Sequence, residues 1–223
     1  MRFWRATGAI LWKDILCELR GKEIVASVFV FALLVIVIFS FAFEPGGDTA
    51  QVVGPGVLWV GFAFAGVLGL NRSFAAEKER GSIDGLLLCP VGRDVIFAGK
   101  LLSSFAFMVI VEAVILPIFT VLYNLPMRLP GLFAVALLAT VGFSAVGCLF
   151  SALAVNTRAR EIMLPLLFLP IVSPVLIAAV KASGLILAGE PIAELVPWLE
   201  ILGAFDAVFL IVSALAFDYV LED

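Results

Sequence analysis

A short charged segment, residues 71–100, stands between two long apolar runs of this sequence. Its charged side chains are Arg72, Glu77, Lys78, Glu79, Arg80, Asp84, Arg93, Asp94 and Lys100. Charges concentrated in one short loop between apolar runs are suited to contact with another protein. We therefore predict that this segment binds a partner in the cytoplasm.

The sequence lacks the residues of several common catalytic sites. It contains no histidine, and its three cysteines, Cys17, Cys89 and Cys148, show no paired spacing. A phosphate-binding loop needs G-x-x-x-x-G-K-[ST]. The nearest match, at Gly99 and Lys100, has Asp94 in place of the first glycine and ends in Leu101. We predict no metal site and no ATP hydrolysis by this chain, which we interpret as a non-catalytic subunit.

The overall composition indicates an integral membrane protein. Hydrophobic residues make up 63% of the chain and the mean hydropathy is +1.19, whereas apolar residues make up about half of a soluble domain. A helix needs about 20 apolar residues to cross the bilayer. We predict an all-α transmembrane domain over residues 1–223 with six spans: 24–43, 52–70, 101–123, 131–155, 161–180 and 199–220.

The distribution of basic residues predicts the orientation. Lysines and arginines near the ends of spans favour the cytoplasmic side. Most of them lie before the first span, in the loop around residues 71–100, and at Arg158 and Arg160, whereas Arg128 and Lys181 lie opposite. We predict that both termini are cytoplasmic and that loops 44–51, 124–130 and 181–198 are outside.

Residues 1–23 are too charged to cross the membrane. Helical spacing places Trp4, Leu11, Ile15 and Leu19 on one side, and Arg2, Lys13 and Arg20 on the other. This pattern is typical of a helix lying in the membrane interface. The alternative is a cytoplasmic extension of the first span.

Two acidic residues fall inside predicted spans. Glu112 lies about midway along the third span, where a charge is costly, so it should face the bundle, a partner or water. We leave open a role in a substrate path, pairing with another subunit, or a protonated side chain bonded to a neighbouring span. Asp206 lies nearer the outer end of span six, where we expect a solvated or interfacial carboxylate.

Glycines and prolines mark three further features of the spans. Gly54, Gly56, Gly61, Gly66 and Gly69 give span two a largely small side, suited either to a subunit interface or to internal packing. Three prolines predict a kinked or locally unwound span five: Pro165, Pro170 and Pro174. The apolar stretch 182–198 predicts an outer re-entrant or interfacial segment.

The local sequence after span two favours a short helix. Asn71 and Ser73 can cap a helix over the following residues, and Gly81 can end it. The apolar run ending at Pro90 can anchor this helix to the transmembrane bundle. A rigid, anchored helix of this kind is suited to transmit a push from a cytoplasmic motor.

These residues resemble the CcmB family, the permease-like subunit of the haem exporter complex in cytochrome c maturation. The resemblance rests on Gly54-Pro-Gly-Val-Leu-Trp59, on Arg72-Ser-Phe74, on the block from Glu79 to Pro90, and on the later run Leu169 to Ile177. It implies an ABC-2 (type V exporter-like) transmembrane domain in a bacterial inner membrane.

By this resemblance, residues 71–93 form a cytoplasmic coupling segment that docks on the ATPase CcmA. The residues carried over to that role are Phe74, Glu77, Glu79, Arg80, Gly81, Asp84, Gly85 and Pro90. The expected partners are CcmA, CcmC and CcmD, indirectly the haem chaperone CcmE, the lipid bilayer, and a second copy of the chain as a homodimer, with no nucleic acid. Haem and ATP-Mg are expected on the partner subunits.

Two other functions remain open at this point. One is a generic ABC-2 exporter permease for a lipid, a polysaccharide or a drug, with a path lined by Glu112 and the prolines of span five. The other is an intramembrane enzyme or a passive assembly scaffold. The proteins that copurify with the chain distinguish these functions.

Overall fold

The computed structural model describes residues 2–20, 22–43, 47–79, 85, 92–154 and 160–220. Seven helices account for nearly all of these residues. Their bounds are α1 Arg2–Arg20, α2 Lys22–Ala42, α3 Asp48–Glu79, α4 Arg93–Leu122, α5 Leu129–Ala154, α6 Arg160–Ala188 and α7 Ile192–Val220. The all-α prediction is confirmed for this part of the chain.

Helices α2 to α7 are each long and apolar enough to cross a membrane, as the sequence predicted. The charged helix α1 is not among these six candidate spans. It packs against α4.

Helix α5 lies at the centre of the bundle, in contact with α3, α4, α6 and α7. In the span-forming part of α5, 72% of the residues are buried, against 17% in α2 and in α7. Small residues make this position possible, because alanine and glycine let neighbouring helix backbones approach closely. The buried residues of this kind include Ala136, Ala139, Gly142, Ala145 and Gly147.

Three glycines of α3 accept large side chains from within the bundle. Gly54 faces the ring of Phe119, and Gly69 faces Phe107, both on α4. Gly66 lies under the ring of Phe143 on α5. For these three glycines the structure therefore supports internal packing over a subunit interface.

Helix α6 remains helical through all three of its prolines. The predicted local unwinding at Pro165, Pro170 and Pro174 is therefore wrong, while a kink remains a prediction. A proline removes one backbone donor, and neighbouring side chains commonly compensate in membranes. Here the Ser173 hydroxyl donates a hydrogen bond of 2.8 Å to the carbonyl of Pro170.

Residues 182–198 do not form an element of their own. Residues up to Ala188 complete α6, and α7 begins at Ile192. Gly189 adopts a positive φ of 87°, which ends α6 at little steric cost. Arg128 donates a 2.7 Å hydrogen bond to the carbonyl of Ile186 in the last turn of α6. The predicted outer segment is thus the turn of a helical hairpin, and its position relative to the bilayer remains a prediction.

The contact between Gly66 and Phe143 predicts that an added methyl group destabilises the protein at Gly66 but not at Gly56. A methyl group at Gly66 would collide with the Phe143 ring, which is held at 4.6 Å from the ring of Phe168. We expect Gly66→Ala to cost about 1–3 kcal/mol by overpacking. Gly56→Ala is the matched control, because nothing lies within 4 Å of its added Cβ. Thermal unfolding in detergent measures both, and equal losses would contradict this packing.

Candidate functional site

The predicted coupling segment begins as a direct continuation of α3. The helix runs unbroken from Asp48 to Glu79, so Asn71 and Ser73 lie inside it and do not start a new helix. Extending an existing helix avoids the cost of a new nucleus, which accounts for the continuity. At about 1.5 Å per residue, α3 is about 48 Å long, which exceeds the ~30 Å hydrocarbon core.

The structure describes only part of the predicted docking residues. Phe74, Glu77 and Glu79 lie on the last turns of the α3 backbone, and Gly85 is exposed. Arg80, Gly81, Asp84 and Pro90 are outside the described residues. Docking on an ATPase therefore remains a prediction. The structure does show that α3 extends as a helix up to Glu79.

The other end of this segment leads into α4, whose first turns pack against α1. Gly92 precedes the helix in an extended conformation, and Asp94 lies in the first turn, where a negative charge complements the helix dipole. The chain thus leaves the coupling segment directly into a helix held by α1.

A buried charged cluster joins α1 to α4, and the sequence analysis missed it. Lys100 Nζ and Ser103 Oγ each donate a 3.0 Å hydrogen bond to Oδ2 of Asp14. Lys13 Nζ lies 3.0 Å from the other carboxylate oxygen. The side chains of Asp14 and Lys100 are each only 4% exposed, whereas that of Lys13 is 36% exposed. We call the three buried residues, Asp14, Lys100 and Ser103, the Asp14 cluster.

The helical spacing of α1 carried a signal for the side of this helix that packs on the bundle, but not for the partners of Asp14. Thr7, Ile10 and Asp14 recur at three- and four-residue intervals, and all three are buried. Trp4 and Trp12 are exposed at 72% and 64%, so the side packed on the bundle is not the side with the tryptophans. The aromatic side remains available to the membrane interface, where we predicted it.

The Asp14 carboxyl is ionised at neutral pH. Burial raises its pKa, but the positive charges of Lys100 and Lys13 outweigh burial and hold the pKa below its ordinary value of 3.8. A lowered pKa in the folded state means that the carboxylate stabilises the fold above pH 3.8. That contribution is lost as the pH falls through the folded-state pKa.

Glu112 lies within the bundle and is 0% exposed. Its Oε1 accepts a hydrogen bond from the Thr140 hydroxyl of α5. Its Oε2 has no hydrogen-bond partner among the residues described here. Of the three interpretations of Glu112, this geometry favours a side chain bonded to a neighbouring span.

The prediction of a solvated Asp206 is wrong, while its depth in the membrane remains a prediction. Asp206 is 6% exposed and lies against Gly142 of α5, where an added Cβ would collide with its carboxylate. The cause is the start of α7 at Ile192, well before residue 199, which places Asp206 at the middle of the helix. Gly142 and Thr140 are two residues apart on α5, so Asp206 and Glu112 approach opposite sides of that helix.

The intramembrane carboxylates do not combine into a ligand site. Over the residues that the structure describes, no group of three or more His, Cys, Asp or Glu side chains could hold a metal ion. A cavity of about 280 Å³ lies between α4 and α5, and its lining is apolar: Ala113, Leu116, Pro117, Leu129, Pro130 and Phe133. Neither carboxylate lines it, so the cavity does not connect Glu112 or Asp206 into a polar path.

Comparison with known proteins identifies the family. The family model described as CcmB protein matches residues 5–222. The chain belongs to the CcmB family. This match spans α1 and all six candidate spans, so the resemblance seen in residues 54–100 and 169–177 extends over the whole fold. CcmB proteins are ABC-2-like permeases, which makes this chain a multi-pass membrane subunit of a transport system.

Three curated relatives match this chain over most of their own length. Heme exporter protein B of Bradyrhizobium diazoefficiens is 32% identical over 95% of this chain and 95% of its own. Heme exporter protein B of Paracoccus denitrificans is 33% identical over 84% of this chain and 87% of its own. The Pseudomonas aeruginosa protein of the same name is 32% identical over 80% of this chain and 81% of its own.

The bond between Glu112 and Thr140 gives a prediction for this CcmB-family chain. Thr140→Val removes the hydroxyl donor without changing the shape of the side chain. We expect a loss of about 0.6–1.7 kcal/mol in the free energy of unfolding, from the average to the largest value for hydrogen bonds between membrane helices. Glu112→Gln should be better tolerated because the amide keeps an oxygen acceptor for Thr140.

Thr120→Val provides the control for this measurement. Thr120 is also buried, but its hydroxyl donates to the Pro117 carbonyl of its own helix. Chemical unfolding in detergent compares the three variants. An equal loss of unfolding free energy for Thr140→Val and Thr120→Val would show that the hydrogen bond between α4 and α5 makes no specific contribution to stability.

Proposed function

We propose that this CcmB-family chain is the transmembrane subunit of an ABC-type complex in cytochrome c biogenesis. In this complex it couples ATP hydrolysis by CcmA to haem delivery and to release of the haem-loaded chaperone CcmE. The name of the relatives, Heme exporter protein B, supports the link to haem. The observation that carries the coupling role is the unbroken course of α3 from Asp48 to Glu79.

A continuous helix is a stiff connection between the membrane and a cytoplasmic partner. Displacement of its end by a docked ATPase moves the helix from Glu79 back to Pro55 as one stiff piece, because Pro55 is the only position of α3 without a backbone donor. Within the bundle, α3 packs against α2 and α6. The indole of Trp59 on α3 donates a 3.0 Å hydrogen bond to the Ser183 hydroxyl on α6. Force on α3 therefore reaches α2 and α6.

We assign ATP and haem to the partner subunits. The sequence has no G-x-x-x-x-G-K-[ST] loop to bind the phosphates of ATP. It also has no histidine, the most common axial ligand of haem iron in proteins. This chain then supplies movement and contacts, CcmA supplies ATP hydrolysis, and CcmC is the candidate for holding haem.

The proposed location is the bacterial inner membrane with both termini cytoplasmic. The asymmetry of basic residues supports this orientation, since Arg128 and Lys181 alone lie on the predicted outer side. CcmC, CcmD and a second copy of the chain are the further proposed partners within the bilayer. CcmE is reached indirectly.

The docking role of the α3 end gives a test by charge reversal. We expect Glu77→Lys with Glu79→Lys to lower recovery of CcmA about tenfold or more, because like charges across an interface cost several kcal/mol. The matched control is Glu190→Lys with Glu194→Lys, since both residues are exposed near the hairpin between α6 and α7. Copurification with tagged CcmA measures the effect.

The outcomes of this pull-down discriminate between functions. Equal recovery of CcmA with both pairs of substitutions would reject the docking assignment. Failure of the unaltered chain to recover any ATPase would reject the ABC-type function itself. Recovery of an ATPase without any haem-handling protein would favour the generic exporter.

The absence of histidine gives a second test of this function. We expect the isolated chain to purify without stoichiometric haem, and the complex containing CcmC to show a strong Soret band. Absorption spectra of both preparations, normalised to protein concentration, measure the difference. A stoichiometric Soret band in the isolated chain that disappears on substituting a methionine or cysteine would restore direct haem binding by this subunit.

A further inference from the structure

One end of the bundle has a hydrophobic core of its own, separate from the main one. Ile10 of α1, Val95, Ile96 and Phe97 of α4, and Phe217 of α7 belong to this second core. The rings of Phe97 and Phe217 are 5.1 Å apart. The second core therefore lies where α4 leaves the coupling segment, and it ties α1 to the first turns of α4.

The contact between α1 and α4 is close as well as apolar. A Cβ added at Gly99 would lie 2.8 Å from Cβ of Ile10, nearer than side chains normally approach. Gly99 thus lets α1 pack directly on the α4 backbone. Lys100 and Ser103 follow on the same helix and bind Asp14, four residues after Ile10 on α1.

We propose that the Asp14 cluster fastens α1 to the beginning of α4, so that the two helices move as one body when residues 71–93 are displaced. This inference rests on the proposed function, because the displacing force is that of the partner ATPase. Asp14, Lys100 and Ser103 are positioning residues in this role, and α1 is the element that their attachment carries.

The burial of the cluster explains why it can act as a fixed joint. Removing one partner of a buried ion pair leaves the other charge uncompensated, which is strongly destabilising. Sliding of α1 along α4 has the same cost, because it separates Asp14 from both Lys100 and Ser103. Replacing both charges with apolar side chains of similar size is often neutral, so a fixed joint can also be rebuilt without charge.

The first experiment measures attachment of α1 in the full chain without any partner. Hydrogen exchange is followed in Asp14→Asn, in Lys13→Gln and in the double variant Asp14→Leu with Lys100→Met. We expect exchange in α1 to rise about tenfold or more in Asp14→Asn, with α5 unchanged, since local opening reports the lost attachment. Lys13→Gln should match the parent chain, because Lys13 is 36% exposed and solvent screens its charge, while Asp14 keeps its buried partners. The double variant Asp14→Leu with Lys100→Met should restore slow exchange in α1.

The outcome of this experiment does not depend on the proposed function. If Asp14→Asn exchanges as slowly as the parent chain in α1, the cluster does not fasten that helix and the inference is overturned. If exchange rises equally in α1 and α5, the cluster acts on general stability, which also overturns it.

The second experiment measures coupling in the complete complex. ATP hydrolysis and ATP-dependent release of the haem-loaded chaperone are recorded together for the same variants. We expect Asp14→Asn to retain ATPase binding but to release about tenfold less chaperone per ATP, and the apolar pair to recover to about the parent value, since that pair restores the joint. The proposal would be contradicted if Asp14→Asn released as much chaperone per ATP as the parent chain, or if it lost ATPase binding. It would also be contradicted if the double variant Asp14→Leu with Lys100→Met protected α1 from exchange but did not restore chaperone release.

Discussion

Helices that already lie in hydrocarbon gain little from burying apolar surface against one another, so close fit and a few polar bonds must hold this bundle together. Helix α5 meets this constraint with small residues that admit four neighbouring helices. Gly66 and Gly142 each lie where an added Cβ would strike a side chain of another helix. The arrangement of the spans depends on these close approaches more than on the apolar character that all six helices share.

Polar bonds connect the helices at points that close packing alone would leave free to slide. Trp59 binds Ser183 between α3 and α6, and Thr140 binds Glu112 between α4 and α5. The Tyr123 hydroxyl donates a 3.1 Å hydrogen bond to the Ile36 carbonyl of α2. Each bond fixes the register of a helix pair, because a polar group moved away from its partner would face hydrocarbon.

The buried acidic residues fall into two groups by their surroundings, Glu112 and Asp206 in one and Asp14 in the other. Glu112 and Asp206 are buried on opposite sides of α5, within the main bundle. Asp14 is also buried, but it pairs with Lys100 at the end of α4 next to the coupling segment. Glu112 and Asp206 are therefore suited to helix packing, whereas Asp14 belongs to the part of the protein that we propose receives force. An apolar cavity between α4 and α5 reaches neither carboxylate.

The sequence by itself predicted the class of protein, the number of spans and the family. Apolar runs of sufficient length predict spans because the bilayer thickness is fixed, and the block of residues 54–100 carried the resemblance to CcmB. It also predicted that Glu112 should face away from lipid, because a charge at mid-membrane is costly wherever the neighbouring helices lie.

The tertiary structure decided which residues meet. Spacing within α1 could not reveal that Asp14 binds Lys100, since these residues are 86 positions apart in the sequence. The position of Asp206 was misjudged because the start of α7 depends on the turn at Gly189, where a glycine of positive φ ends α6. Local propensity and hydropathy report how each helix forms and whether it enters the bilayer. The partner of a side chain depends on the packing of distant helices, and it is known only when those helices are in place.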